Sequence, residues 1–232
     1  MDWKSYIDGI EFCGLRPEDR GIMLVTGHED GHIMSTADLK ITRLPSHDAE
    51  MKERLAEVCL IPRMSTFAIG SIINLAVSEM APDQAFVNVG VWHGFSFMAG
   101  LAGHPEKRCV GIDNFSEFGG PRERFHKFFM RYKSGNHSFF EMDYRDYFCN
   151  QHSGPIGFYI YDGNHSLEDQ CEGLRIAEPF LAKGCLILID DINTEGPIEG
   201  TKAFLEQSKE QYTAHNNHPT FWNGIALLQK TS

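Results

Sequence analysis

Two apolar runs in this chain end on aspartate: Ile156-Gly157-Phe158-Tyr159-Ile160-Tyr161 stops at Asp162, and Cys185-Leu186-Ile187-Leu188-Ile189 stops at Asp190-Asp191. Runs this short and this uniformly apolar, joined by one helix-sized connection, read as neighbouring parallel strands buried on both faces. In an open α/β sheet the C-terminal strand ends form the ligand-binding edge, so the two runs deliver three carboxylates to one place. Adjacent strands lie about 4.8 Å apart and hard divalent cations take carboxylate oxygens at about 2.0 to 2.6 Å, so Asp162, Asp190 and Asp191 can share one Mg²⁺-like ion. From these residues alone a plainer reading stays open, in which Asp162-Gly163 is a turn and Asp190 caps a helix.

From residue 84 onward strand and helix alternate. Residues 85–89 read as a strand, followed by a glycine-rich turn and a small-residue helix, then a strand over 108–112 that ends at Asp113. A basic helix over 121–133, a strand over 138–142 ending at Asp143, the Asp162 strand, a helix over 166–181 and the Asp190 strand come next. A helix over 199–211 and a closing strand over 221–228, with a bulge at Gly224, complete the pattern. The prediction is a doubly wound, mostly parallel α/β sheet of about seven strands with helices on both faces. Upstream, residues 21–44 predict a β-hairpin, because Ile22-Met23-Leu24-Val25 and His32-Ile33-Met34 flank Glu29-Asp30-Gly31. A helix over 48–60 ends before Pro62, and a second, capped by Ser65 or Thr66, carries Ile69, Ile72, Ile73, Ala76 and Met80 as an apolar stripe. The chain therefore divides into an N-terminal hairpin and helical extension over 1–83, packed on a core over 84–232. The hairpin has three readings: a substrate lid, a contact in a homo-oligomer, or cover for a sheet edge.

With 232 residues and 42% hydrophobic content the chain can bury a full core. No stretch approaches the roughly 20 apolar residues of a membrane span. The start, Met1-Asp2-Trp3-Lys4, lacks the regions of a signal peptide, so the expected setting is cytoplasmic, away from the membrane. Six cysteines without a C-x-x-C pair read as reduced thiols. A net charge of −11 opposes phosphate backbones, so the expected partner is a small molecule and not nucleic acid.

Asn88-Val89-Gly90-Val91-Trp92-His93-Gly94-Phe95-Ser96 follows the first core strand and opens a helix, where backbone N–H groups meet a ligand carboxylate or phosphate. The Gly-x-x-x-Gly spacing is not the G-x-G-x-x-G of dinucleotide folds, which sets an NAD-dependent oxidoreductase last among the candidates. Asp113, ending the next strand, is placed to accept both hydroxyls of a ribose, and Asp143, ending the third, an adenine amino group. Each can also be a cap. Together the three strand ends favour an adenosine-containing ligand.

The 88–96 string resembles the first motif of class I S-adenosylmethionine-dependent methyltransferases, in the form Glu-Leu-Gly-x-x-x-Gly-Tyr-Ser of the Mg²⁺-dependent catechol-type O-methyltransferases. Asp162-Gly163-Asn164-His165 and Leu186-Ile187-Leu188-Ile189-Asp190-Asp191 are similar to the Asp-Gly-x-His and Asp-Asp segments of macrocin-type sugar O-methyltransferases and their cephalosporin-hydroxylase-like relatives. The resemblance spans about residues 84–230. It implies a Rossmann-like methyltransferase fold in which Gly90, Gly94 and Ser96 hold the methionine part of S-adenosylmethionine, Asp113 the ribose, and Asp143 with Tyr144 the adenine. It also implies a divalent cation, Mg²⁺ or another, on Asp162, Asp190 and Asp191, with Asp162 beside the cofactor as well. Asn88 stands where the motif has an acid, so the cofactor's ammonium needs a further partner.

A methyl sulfonium is already electrophilic, so the enzyme must supply an oxygen nucleophile held in line with the S–CH₃ bond. Two neighbouring hydroxyls chelated by one cation are oriented and acidified at once. His165, three residues after Asp162, stands where the resembling enzymes carry their catalytic base and titrates near neutrality; its plainer reading is a turn-capping residue. Arg122, Arg124, Lys127, Arg131 and Lys133 share one helix with three phenylalanines, which reads either as a solvated face over a buried stripe or as a seat for a phosphorylated substrate. Trp92, Phe118 and Trp222 are candidates for an acceptor pocket or for core. The expected activity is O-methylation of a small-molecule hydroxyl, on a sugar or a glycosylated natural product. Two competing readings are a metal-independent methyltransferase acting on nitrogen or RNA, and a noncatalytic adenosine-ligand binding protein.

Overall fold

The computed structural model describes residues 1–14, 35–217 and 224–232. The chain opens with α1 (Trp3–Asp8), whose N-terminus is capped by the Asp2 carboxylate accepting from the Ser5 N–H. β1 (Glu11–Phe12) pairs antiparallel with β2 (Thr42–Arg43), which follows α2 (Ala37–Ile41). Of the hairpin expected over residues 21–44, residues 21–34 lie outside the described residues, and 35–44 hold α2 and β2. α3 (Asp48–Leu55) is shorter than the predicted 48–60 helix: Val58–Leu60 forms a 3₁₀ turn, because Ile61 precedes Pro62 and is held in extended backbone. α4 (Phe67–Glu79) is capped by Thr66, whose hydroxyl accepts from the Ile69 N–H at 3.3 Å.

The core then alternates strand and helix: β3 (Ala85–Val89), α5 (Phe95–Leu101), β4 (Arg108–Asp113), α6 (Arg122–Tyr132), β5 (His137–Glu141), α7 (Tyr144–Asn150), β6 (Ile156–Tyr161), α8 (Leu167–Ala177), β7 (Leu181–Asp190), α9 (Glu195–Gln207), β8 (Tyr212–Asn217) and β9 (Ile225–Lys230). The main sheet has seven strands in the order β5-β4-β3-β6-β7-β9-β8, parallel except where β9 runs against β7 and β8. This is the doubly wound, mostly parallel sheet that the strand pattern predicts. Helix α9 starts at Glu195 and ends at Gln207, earlier at both ends than expected, and the polar residues after it form edge strand β8. Pro179 ends the α8 region, so β7 begins at Leu181 and is longer than the apolar run alone.

Alternate residues of each strand go to opposite faces. On one face Phe86, Phe158, Ile160 and Leu188 join α1, α3, α4 and α5 in one apolar cluster, so the N-terminal extension shares its core with the sheet. On the other, Val87, Tyr159 and Ile187 meet Tyr147, Leu174 and Phe204 from α7, α8 and α9. Two helical glycines let α8 and α5 approach the sheet closely. A Cβ at Gly173 would overlap the Tyr161 ring, and one at Gly100 the Phe86 ring. The basic face of α6 is mostly solvated: Phe125 and Phe129 are buried beneath it, while Arg122 pairs with Glu141 and Arg131 with Glu57. All six cysteines are free thiols, and no helix among the described residues is long and apolar enough to cross a membrane.

Three histidines away from the strand-end acids are held neutral. Burial lowers His104 and His137, and burial brings His152, which bonds the Tyr147 hydroxyl at 3.0 Å, down to about 4. A histidine whose folded pKa lies below its unfolded value stabilises the fold above about pH 6.5, and that contribution drains as pH falls toward the folded value. The urea midpoint should therefore fall between pH 6.5 and pH 5, with a smaller drop in His152→Gln. A midpoint independent of pH across that window would contradict this.

Candidate active site

The topology sets the location. β3, β4 and β5 step one way across the sheet and β6 and β7 the other, so the crevice lies between the C-terminal ends of β3 and β6. There the Asp162 N–H donates to the Val89 carbonyl at 2.9 Å, tying the two strand ends together. Gly90 follows at φ 77°, and a Cβ on it would overlap the Asp162 carbonyl oxygen. Only glycine allows the turn after β3 to lie this close to the turn after β6. Gly94, at φ 103°, makes the transition into α5.

Two cavities open along this edge. The first, about 270 Å³, is lined by Gly90, Asp113, Asp143, Tyr144 and Asp162, with residues 114–118 along one wall. The second, about 250 Å³, is walled by Ile69, Ile73, Phe95, Ile160 and Leu188, and Asp162, His165, Asp190 and Asp191 face it from one side. Trp92, Phe118, Asp162 and Gly163 border both cavities. Asp162 therefore stands at their junction. Four bulky or acidic residues with left-handed backbone, Trp92, Phe115, Phe118 and Asp191, lie on these walls, a concentration typical of functional sites. The segment 114–118 crosses toward the β6 edge: the Trp92 indole N–H donates to the Phe118 carbonyl at 3.1 Å, and the Asn164 amide donates to Glu117 at 3.0 Å. The Phe118 ring remains 69% exposed.

Most of the residues singled out in the sequence converge here, with some changes of role. Asp113 accepts from the Val91 and Trp92 N–H groups on one oxygen and from the Phe115 N–H on the other, so it knots the turn after β3 to the loop after β4. A carboxylate offers about four lone-pair sites, which leaves about one for a ligand hydroxyl, not the pair expected for both ribose hydroxyls. Asp143 is the N-cap of α7, accepting from the Arg145 N–H at 2.8 Å, and it also lines the first cavity. Tyr144 lies beside it under the Arg145 guanidinium, which pairs in turn with Asp169. Ser96 lines the second cavity, away from Asp113 and Asp143. Asn88 is fully buried within β3; its amide nitrogen donates to the Gly90 carbonyl at 3.1 Å, and its side-chain oxygen has no partner among the described residues.

The acids after β6 and β7 meet around His165. Its Nδ1 lies 2.9 Å from an Asp191 oxygen and its Nε2 lies 3.4 Å from an Asp162 oxygen. Only the doubly protonated ring can donate on both sides. Hydrogen bonds to Asp162 and to Asp191 hold the imidazole up at about 10, and of the two contacts that to Asp191 is the closer. Burial raises the Asp190 carboxyl well above the usual range, with Asp162 and Asp191 adding like-charge repulsion. Burial raises Asp162 too and the hydrogen bond from His165 opposes it, but 35% of the Asp162 side chain is exposed to the cavity, so the direction is weaker there than at Asp190. Among the described residues no group of three or more His, Cys, Asp or Glu side chains is gathered as a metal cluster, and the cation between these carboxylates is His165 itself.

Sequence reasoning missed the second cavity's outer wall. Arg63 is buried, donating to the carbonyls of Cys59, Ser35 and Ser65 and pairing with Asp38 at 2.8 Å, while Asp38 also accepts from the Phe67 N–H at the start of α4. That knot seats Arg63, Met64 and Ser65 against the cavity. Trp222 lies outside the described residues.

Residues 87–192, which run from β3 through both acidic strand ends, match the family model of a methyltransferase domain. The core has the class I methyltransferase fold. Solved structures share its fold at low identity. An O-methyltransferase from Bacillus cereus in complex with SAH has a TM-score of 0.55 at 13% identity, covering 81% of this chain and 93% of that one. TomG from Streptomyces achromogenes, an O-methyltransferase involved in tomaymycin synthesis and solved with SAM, has a TM-score of 0.53 at 13% identity, covering 90% and 93%. The SAH-bound methyltransferase PaMTH1 from Podospora anserina has a TM-score of 0.56 at 12% identity, covering 72% and 80%. No curated protein matches the chain in sequence.

The core thus carries a histidine whose folded pKa is raised from 6.5 to about 10. A raised pKa stabilises the fold fully below about pH 6.5, and that contribution fades as pH climbs toward 10. The stability gap between wild type and His165→Gln should narrow steadily from pH 6.5 to pH 10 in urea titrations. A gap that is constant or widens would show that the imidazolium is not what these carboxylates hold.

Proposed function

We propose that this methyltransferase transfers the methyl group of S-adenosylmethionine to a hydroxyl of a small molecule, with a divalent cation on Asp162, Asp190 and Asp191. The observation that carries the reading is the junction: the cavity bordered by Gly90, Asp113 and Tyr144 and the cavity bordered by the acids share Asp162 as a common wall. A donor in the first can point its reactive carbon at an acceptor in the second. The S-adenosylmethionine and SAH bound by two of the fold neighbours support the choice of donor.

The donor set suits a hard cation, since three carboxylates that repel one another call for positive charge between them. A bound divalent cation would supply Lewis acidity and orientation to neighbouring hydroxyls. Asp162 and Asp191 would hold it in place of their contacts with His165, with Asp190 as the third carboxylate. Freed of those contacts, His165 would titrate nearer its ordinary range, and its Nε2 would accept the hydroxyl proton as the new O–CH₃ bond forms and the S–CH₃ bond breaks. Gly90 brings the donor turn against Asp162, and Trp92 and Phe118 cover the junction from outside.

The acceptor we propose is a vicinal diol borne on a body with an apolar face, such as a sugar of a glycosylated natural product. Its hydroxyls would face the acids, and its C–H face would lie on the walls formed by Ile69, Phe95 and Leu188. A second reading is favoured by one specific contact. His165 already stands as a cation between Asp162 and Asp191, so a metal-independent transferase could use the imidazolium in the metal's stead.

Chelation separates the two. With a metal, methyl transfer to a diol-bearing acceptor is lost in EDTA and returns with Mg²⁺; activity indifferent to chelator would select the second reading. His165→Ala should lower kcat by about 10² to 10⁴-fold with S-adenosylhomocysteine affinity nearly unchanged in calorimetry. Equal losses in both would remove His165 from the base role.

A further inference from the structure

The acids at the site sit on two separate turns, and the start of α9 packs against one of them immediately after leaving the other. Helix α9 leaves the Asp190-Asp191 strand end through a tight turn in which the Thr194 N–H and hydroxyl both donate to the Asp191 carbonyl at 2.9 Å. Asp191 itself is held at φ 52°. The first turn of α9 then lies directly on the backbone of the other loop: a Cβ on Gly196 would overlap the His165 carbonyl oxygen and sit 3.4 Å from the Ser166 carbonyl carbon. The obstacle is backbone, which cannot rotate aside as a side chain can.

On the opposite side of the same loop, Gly90 lies against the Asp162 carbonyl. The turn 162–165 is thus clasped between two glycines, one from the donor side and one from α9. We propose that Gly196 is a positioning residue that sets the distance between the Asp162–His165 turn and the Asp190-Asp191 turn, and with it the 2.9 Å contact between His165 and Asp191. Any side chain at 196 must open the two turns by roughly an ångström to reach ordinary van der Waals separation. Gly196 touches neither cavity. Its effect reaches the chemistry only through the spacing of the acids.

The inference rests on the proposed methyl transfer for its kinetic arm only. Its first readout needs no activity: the His165 imidazole N–H proton bonded to Asp191 should give a protected downfield resonance in ¹H NMR of the wild type. We expect Gly196→Ala to lose or shift that resonance while Phe204→Leu, which loosens α9 at a buried position one helical stretch further on, keeps it. Thr194→Val, which cuts one tie between α9 and Asp191, should move the resonance in the same direction by less. It also keeps the test decisive should Gly196→Ala fail to fold. In the kinetic arm Gly196→Ala lowers kcat by about 10²-fold, the usual cost of an ångström's misplacement, with S-adenosylhomocysteine affinity within about twofold of wild type. An unchanged resonance in Gly196→Ala or Thr194→Val, or an equal loss in Phe204→Leu, overturns the proposal. Absence of methyl transfer in wild type with the resonance behaving as expected would instead overturn the proposed reaction and leave the positioning role standing.

Discussion

Carboxylates that meet at the ends of adjacent buried strands must either take up protons or hold positive charge between them, and the geometry of this site follows from that requirement. Asp162 follows β6 and Asp190-Asp191 closes β7, strands paired in parallel between 158–161 and 186–189. Burial and mutual repulsion both press the acids toward the neutral form. His165 answers with a charge of its own, and its closeness depends on the glycine contacts at 90 and 196 that let three backbone segments pack without side chains between them. A buried pair of this kind is weak evidence for stability, because desolvation offsets much of its attraction. It is better understood as a charge arrangement held ready for a cationic or proton-bearing partner.

The same edge explains the division of labour between the halves of the chain. The turn after β3 and the loops after β4 and β5 build the first cavity, while the N-terminal segment supplies the far wall of the second through α4 and the Arg63–Asp38 knot. The sheet is common to both. Asp113 couples the cavities indirectly, since its carboxylate fixes the backbone of Val91 and Trp92, and Trp92 borders both spaces. The left-handed backbone at Trp92 and Phe118 is held by the hydrogen bond between them, so the aromatic cover over the junction is built into the fold.

Much of this was legible in the chain because the strongest signals are periodic or local. The apolar runs over 156–161 and 185–189 had to be buried strands, and their terminal aspartates had to share an edge once the strands were adjacent. Asp143 as a cap and Thr66 as a cap were both within reach of local rules. What escaped was whatever depends on contacts distant in sequence. The edge strand β8 is polar and short of β-branched residues, so periodicity gave no sign of it. Arg63 reads as an ordinary surface cation until Asp38 and three carbonyls surround it. The tie between Asp113 and two backbone amides of the neighbouring turn, which changes the role open to that carboxylate, appears only when β3 and β4 are laid side by side. His165 could be placed near the acids from spacing alone, but not its position between Asp162 and Asp191.

The account's central claim is that a donor in the first cavity and a cation on the acids meet at Asp162. A crystal grown with S-adenosylhomocysteine and Mn²⁺ tests it directly through the metal's anomalous signal. The account predicts a single strong peak within coordination distance of Asp162 and Asp190, with the thioether sulfur turned toward it from between Gly90 and Tyr144 and the His165 ring moved off Asp191. Nucleoside bound elsewhere, or no metal at these carboxylates with His165 still between them, would contradict it.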